Sequence, residues 1–68
     1  MFTKHLRNDA HTRRYSIAST ESGWEVREEQ DSLIVRCVEY HDWHRVEHAR
    51  RTIAIEVDQL QAEGWRLE

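Results

Sequence analysis

The first two thirds of the chain contain short segments in which apolar and polar residues alternate. The segment WEVREE, residues 24–29, begins with an apolar–polar–apolar–polar run. A period of two residues is the pattern of a half-buried strand. The segment RRYSIAS, residues 13–19, places Tyr15 and Ile17 on one face and predicts a second short strand. Gly23 lies between the two segments and indicates a turn.

The strongest strand prediction falls on residues 33–40, LIVRCVEY, because this segment is rich in β-branched residues. The polar residues 30–32 precede it and form a connection of hairpin length. Simple alternation gives the strand apolar residues on both faces: Leu33, Val35 and Cys37 on one, and Ile34, Val38 and Tyr40 on the other, where Arg36 interrupts them. A strand with one solvent-exposed face does not show this pattern. We therefore expect that both faces are covered or that the second face meets a partner.

A helical period follows over residues 42–63. At 100° per residue, one stripe collects the apolar side chains Trp43, Val46, Ala49, Ile53, Ala54, Val57 and Leu60. Asp42 suits the N-cap, because its carboxylate can accept hydrogen bonds from the free N–H groups of the first turn. Gly64 suits the left-handed C′ position, after which Trp65 can fold back onto the last turn. The helix would be about 33 Å long, so we expect part of it to overhang a small sheet.

Together these elements predict a small α+β domain. Its architecture is an antiparallel β-hairpin or meander of two or three strands followed by one long C-terminal α-helix, in the order β-β-(β)-α. Residues 13–66 form this single domain. Residues 1–12 show no clean period, so we expect them to be a flexible basic arm. The terminal pair Leu67-Glu68 is typical of a cloning remnant.

The chain length limits the stability that one core can supply. A chain of 68 residues is one domain, and a domain of this size buries only about 60% of its unfolded surface. Cys37 is the single cysteine, so an internal disulfide is impossible. A metal ion or a second subunit is then the remaining source of additional stability. One thiol and the lack of a long apolar segment predict a cytoplasmic protein that does not span a membrane.

Charge is unevenly distributed along the chain, whose formal net charge is −3. In residues 1–14, four basic residues against Asp9 give a net charge of +3, and the remaining six basic and twelve acidic residues give −6. A basic arm suggests one alternative function, a nucleic-acid-binding domain, with Lys4, Arg7, Arg13 and Arg14 as its contact residues. The predicted strands, however, mix Glu25 and Glu29 with arginines, which makes a poor surface for phosphate. Nucleic acid is therefore the less favoured partner.

Three of the five histidines lie close together in the segment HDWHRVEH. His44 and His48 are four residues apart and project from the same side of the helix, and His41 precedes the N-cap. Because zinc accepts imidazole nitrogen, a second alternative is a metal-binding protein with His41, His44 and His48 as zinc ligands. The helical period nevertheless puts His44 and His48 nearly opposite the apolar stripe. We therefore favour surface histidines and expect no cofactor.

No arrangement of residues typical of catalysis is evident. Cys37 and His41 would be about 13 Å apart in an extended strand, so we interpret Cys37 as a small buried apolar residue. Gly23 and Gly64 are too far apart for a phosphate-binding loop. The three tryptophans fit a small core, because large aromatic side chains bury much area. We therefore expect no enzymatic activity and no small-molecule substrate.

The chain has more apolar residues than one core would bury. This surplus is the feature that best distinguishes between the possible functions. We predict a non-enzymatic protein-interaction module that self-associates, as a homodimer. The interface would combine the second face of the last strand with the outer side of the helix, at Ile34, Val38, Tyr40, His44, His48, Ile55 and Ala62.

Overall fold

The computed structural model describes residues 2–68 and shows one antiparallel sheet with one helix. The elements are β1 Phe2–Asn8, β2 His11–Ser19, β3 Trp24–Gln30, β4 Leu33–Tyr40, α1 Trp43–Ala62 and β5 Arg66–Leu67. The strand order in the sheet is β4-β3-β2-β1-β5, and all neighbouring strands are antiparallel. The predicted fold class, an antiparallel meander followed by one long helix, is confirmed. The meander has four strands, and the short β5 adds a fifth strand to the sheet.

The first strand corrects the prediction of a flexible arm over residues 1–12. Phe2–Asn8 pairs with β2 along its whole length, from Phe2 opposite Ile17 to Asn8 opposite His11. Leu6 is completely buried, and the Phe2 side chain packs against the core. The alternation was hidden because Lys4 occupies the core-facing position between these two apolar residues. The prediction of nucleic-acid contacts by a free arm therefore loses its structural basis.

Two tight turns connect the hairpins of the meander. Asp31 and Ser32 have φ of 52° and 67°, so both central residues of the β3–β4 turn are left-handed, as in the type I′ turns that match the twist of a hairpin. Asp9, in the β1–β2 turn, has φ of 54°. The side chain of Asp31 joins the two turns: its Oδ1 accepts a hydrogen bond from the Thr12 N–H at 2.9 Å, and its Oδ2 lies 3.2 Å from His11 Nδ1.

Both ends of the helix are capped as predicted. The Asp42 carboxylate accepts a hydrogen bond from the His44 N–H at 2.9 Å. After the last turn, Gly64 has φ of 105°, and the Trp65 N–H donates to the Leu60 carbonyl at 2.9 Å. This is the Schellman arrangement, which ends a helix and reverses the chain. The reversal packs Trp65 against the core, directs the chain into β5, and places the Trp65 ring 5.3 Å from the Arg13 guanidinium.

The core lies under one half of the sheet. Its buried members are Leu6, Tyr15, Ile17, Val46, Ile53, Val57 and Leu60, which come from β1, β2 and α1. Side chains of β3 are half-buried, and most of those of β4 are exposed. Side chains of α1 pack on β1 and β2 to form this core, α1 also lies against β3 and β4, and β4 is the open edge of the sheet. The expected burial of Cys37 is wrong, because Cys37 lies opposite Arg27 on the face of the sheet away from α1 and is exposed.

Candidate functional site

The outer edge of β4 is the most unusual surface of the described residues. β4 pairs with β3 on one side, and no strand of residues 2–68 pairs with it on the other. Its first three residues are apolar and exposed: Leu33 by 71%, Ile34 by 56% and Val35 by 51%. We call this surface the β4 edge, meaning the unpaired backbone of Leu33–Tyr40 with these three side chains. An edge of this kind is a template for pairing with another strand.

A β-bulge in β4 changes which side chains share a face. Ile34 lies opposite Glu29 and Cys37 lies opposite Arg27, whereas Val35 has no register partner on β3. Because residues 27 and 29 project from the same face of β3, Ile34 shares the outer face with Cys37 and not the helix-side face. Simple alternation along the sequence had placed Ile34 with Val38 and Tyr40. The extra residue of a bulge carries no clear sequence signal, so the sequence alone could not show that Ile34 lies on the outer face.

A groove of about 220 Å³ lies on the helix side of the sheet, between α1 and the strands β3 and β4. We call it the α1–β4 groove. Its lining includes Tyr15, Val26, Arg27, Glu28, Arg36, Val38, Tyr40, His48, Ala49 and Thr52. Of the predicted interface residues, Val38, Tyr40 and His48 therefore meet here. No sequence pattern indicates Tyr15, Glu28 or Arg36 as site residues, because the cross-strand register brings them together.

The floor of the groove is Tyr15, which is 1% exposed. Its hydroxyl oxygen is buried, and the Arg13 guanidinium and the Glu56 carboxylate lie close enough to interact with it. Burial raises the pKa of this hydroxyl, the Arg13 guanidinium opposes that effect, and the negative charges of Glu28 and Glu56 raise the pKa further. The hydroxyl therefore remains protonated at neutral pH and can donate a hydrogen bond.

The three histidines proposed as zinc ligands do not come together. His41 Nδ1 lies 2.9 Å from the Ser22 carbonyl oxygen, and His41 Nε2 lies 3.8 Å from Glu39 Oε1. His44 and His48 are exposed on the helix, and His48 faces the α1–β4 groove. Within residues 2–68, no group of three histidine, cysteine or acidic side chains has the spacing of a metal site.

The rest of the predicted interface lies on the outer side of the helix. Ile55 is 59% exposed, and His44 and Ala62 are also exposed. At 100° per residue these three side chains share a direction opposite to the buried stripe. The structure thus divides the predicted interface into three places: Ile34 at the β4 edge, three residues in the groove, and three on the outer helix.

The four basic residues proposed for nucleic acid are spread over both faces of the sheet. Lys4 is two residues from the buried Leu6 on β1, and Arg13 is the register partner of Leu6 on β2, so both project on the helix side. Arg7 and Arg14 project on the outer face. Arg7 Nε lies 3.5 Å from Glu68 Oε1, and Arg14 has Glu29 at 3.9 Å. These side chains therefore do not form one continuous basic patch.

Comparisons with known proteins add no functional assignment. No protein-family model, curated protein or solved structure matches the chain. Across the part of the chain that the structure describes, α1 is not apolar enough to cross a membrane.

Proposed function

We propose that this domain is a non-enzymatic protein-interaction module that self-associates through the β4 edge. The observation that carries the proposal is the exposed run Leu33-Ile34-Val35 on a strand whose second side has no neighbour in the described chain. Natural proteins usually protect such an edge with proline, lysine or a covering segment. The sequence contains no proline, and the apolar run contains no charge.

The opposite edge of the same sheet shows what such protection looks like. There the short β5 covers Leu6 and Arg7 of β1, and the Glu68 N–H donates to the His5 carbonyl at 2.8 Å. Lys4 adds a charge on the helix-side face of β1. One edge is covered by β5, whereas the β4 edge has an uncovered apolar run beside its bulge and the charges of Arg36 and Glu39. The β4 edge is therefore the better candidate for pairing.

The amount of exposed surface also favours association. The accessible surface is 4926 Å², compared with about 4500 Å² for a compact monomer of this mass. The exposed fractions of Leu33, Ile34 and Val35 add up to almost two side chains, whose complete burial would be worth roughly 3–5 kcal/mol per protomer. Pairing at the edge covers the flanks of these side chains and gains part of that amount. The gain from two protomers is similar to the cost of association, roughly 4–15 kcal/mol. Backbone hydrogen bonds across the edge then provide the surplus, and we expect a dissociation constant on the order of micromolar.

Symmetry determines the arrangement of such a dimer. Two copies of β4 pair antiparallel around a twofold axis that is perpendicular to the sheet, since this axis joins identical edges. The result is a continuous ten-stranded sheet in which both helices lie on the same face. In this arrangement Ile34 and Val35 approach the second copy, whereas Ile55 on the outer helix stays in solvent.

Sedimentation velocity of two matched variants tests the proposal. Ile34→Lys and Ile55→Lys make the same change at residues of similar exposure, 56% and 59%. We expect the wild type and Ile55→Lys to pass from 8.2 kDa to twice that mass between about 1 and 200 µM, a range that brackets the expected affinity. Ile34→Lys should weaken the association, because it places a charge in the apolar run that would pair, and lysine on an edge strand opposes pairing.

Two outcomes would contradict the edge-pairing proposal. The first is a wild type that stays monomeric over the whole concentration range. The second is loss of association in Ile55→Lys together with normal association of Ile34→Lys, which would place the contact on the outer helix. Circular dichroism of each variant shows whether the fold is retained, so that a monomer caused by unfolding is recognised.

A further inference from the structure

We propose that the first half of β1 binds an extended peptide that carries an acidic residue and, two positions later, a large apolar residue. The surface consists of the backbone of residues 2–4 and of the groove between this backbone and residues 43–50 of α1. We call it the β1–α1 groove. It lies on the side of the sheet opposite to β4 and is complete within one protomer, so this proposal does not depend on self-association.

The backbone of this half of β1 can pair with a further strand. β5 covers the second half of β1, and no strand of residues 2–68 pairs with residues 2–4 on that side. The His5 carbonyl points toward β5, because it accepts a hydrogen bond from the Glu68 N–H at 2.8 Å. The hydrogen-bonding groups of an antiparallel strand change sides at each residue, so the N–H and C=O of Thr3 also point outward. An added antiparallel strand can pair with both groups.

The groove beside this backbone selects an apolar side chain. It has a volume of about 290 Å³, and its apolar lining consists of Phe2, Ile17, Trp43 and Val46. The Trp43 ring packs against Trp24 with the ring centroids 5.2 Å apart, yet the Trp43 side chain remains 42% exposed. Side chains of a strand alternate between its two faces, so a peptide residue opposite Phe2 projects toward α1. A leucine or aromatic side chain there covers the exposed part of Trp43.

The charge of the groove selects an acidic residue. Lys4 projects on the helix side of β1, and no carboxylate of residues 2–68 lies within ion-pairing distance of its ammonium group. Glu47 is the acidic residue of the described lining, and Arg50 neutralises it through two hydrogen bonds of 3.0 Å. A peptide carboxylate opposite Lys4 therefore supplies the missing partner. In an antiparallel strand, the residue two positions later lies opposite Phe2.

Titration of the ¹⁵N-labelled protein with capped pentapeptides, followed by NMR, tests the proposal. The parent peptide has the sequence threonine-glutamate-threonine-leucine-threonine. A second peptide replaces the glutamate with lysine, a third replaces the leucine with glycine, and a fourth carries an N-methyl group on the central threonine. We expect the parent peptide to bind with a dissociation constant of about 1 mM. It should shift the amides of Thr3 and Lys4 and the indole N–H of Trp43.

The other peptides separate the three contacts. The lysine peptide should bind about fivefold more weakly, because an exposed ion pair is lost. The glycine peptide should bind about tenfold more weakly, since it buries no apolar side chain. The N-methylated peptide should not bind, because the methyl group replaces the N–H that donates to the Thr3 carbonyl, and main-chain hydrogen bonds give most of the affinity of an added strand.

Two matched variants assign the charge contact. Lys4→Gln should bind the glutamate and lysine peptides equally. Arg14→Gln removes one positive charge from the outer face of β2 and should keep the preference of the wild type for glutamate. The dispersion of the same spectra shows whether each variant is folded.

The proposal is overturned if the parent peptide shifts no resonance of the groove at several millimolar. It is also overturned if the N-methylated peptide binds as well as the parent, or if Lys4→Gln keeps the preference for glutamate. Loss of that preference in Arg14→Gln would reduce the effect to nonspecific charge. Shifts confined to Ile34 and Val35 would place the peptide on the β4 edge and would equally refute binding at β1.

Discussion

The substitution Leu6→Ala tests whether the first strand belongs to the folded domain. Leu6 is 0% exposed and packs in the core below α1. Replacing a buried leucine with alanine costs about 2–5 kcal/mol, from lost transfer free energy and from the cavity left behind. The total stability expected for a domain of this length is roughly 3–10 kcal/mol. We therefore expect Leu6→Ala to lose half of the unfolding free energy or more, and to be partly unfolded at 37 °C.

Urea denaturation followed by tryptophan fluorescence measures this loss, because Trp24 and Trp65 pack against the same core. The matched control is Leu67→Ala. Leu67 is the register partner of Leu6 on β5 and is 43% exposed, so the same change there should cost less than about 1 kcal/mol. If Leu6→Ala and Leu67→Ala have the same midpoint as the wild type, then residues 2–8 are not part of the core and the placement of β1 is wrong.

Two further predictions concern titrating side chains. Tyr15→Phe removes a buried hydroxyl that interacts with Arg13 and Glu56, so its main effect should be on the pH dependence of stability. The raised pKa of Tyr15 means that its neutral form favours folding below pH 10, an advantage lost at higher pH. The variant should thus resist alkaline denaturation better than the wild type. An unfolding free energy at alkaline pH, measured by urea titration, that is equal to or lower than that of the wild type would contradict this. The hydrogen bond from the Thr12 N–H, followed by the interaction with His11, lowers the pKa of Asp31 from 3.8. The charge of Asp31 therefore stabilises the fold above pH 3.8, and this contribution disappears as the pH falls through the lowered pKa. Asp31→Asn should therefore melt below the wild type at pH 6 and approach it at pH 2.5, and a constant difference in melting temperature across that range would argue against a charge effect.

The sequence predicted the elements that depend on local chemistry. The bounds of β4 agree with the expected segment 33–40, and both helix caps follow from Asp42 and Gly64, whose side-chain chemistry and backbone freedom act within a few residues. The strand β1 was missed because Lys4 stands between two core residues. Its pairing with β2 is decided by the register of the sheet and not by its own residues.

The candidate sites depended more strongly on tertiary structure. The surplus of apolar residues on β4 was visible in the sequence, but its position at an edge was not. Cys37 illustrates the difference: its residue type favours burial, yet the register of the sheet places it on the face that points away from the helix. The α1–β4 groove joins residues from three strands and the helix, and no spacing along the chain indicates such a set.

The pairing of β5 with β1 has a consequence for the order in which the domain folds. β1 to β4 join through short turns, so their contacts form between neighbours in sequence. The contact between Arg7 and Glu68, in contrast, joins residues 61 positions apart, and closing such a loop is slow. It requires that α1 has already docked and that the chain has reversed at Gly64. We expect the amide protons of β5 to exchange with solvent long before those of β2, so that the last two strand residues open and close as a separate, weakly held unit.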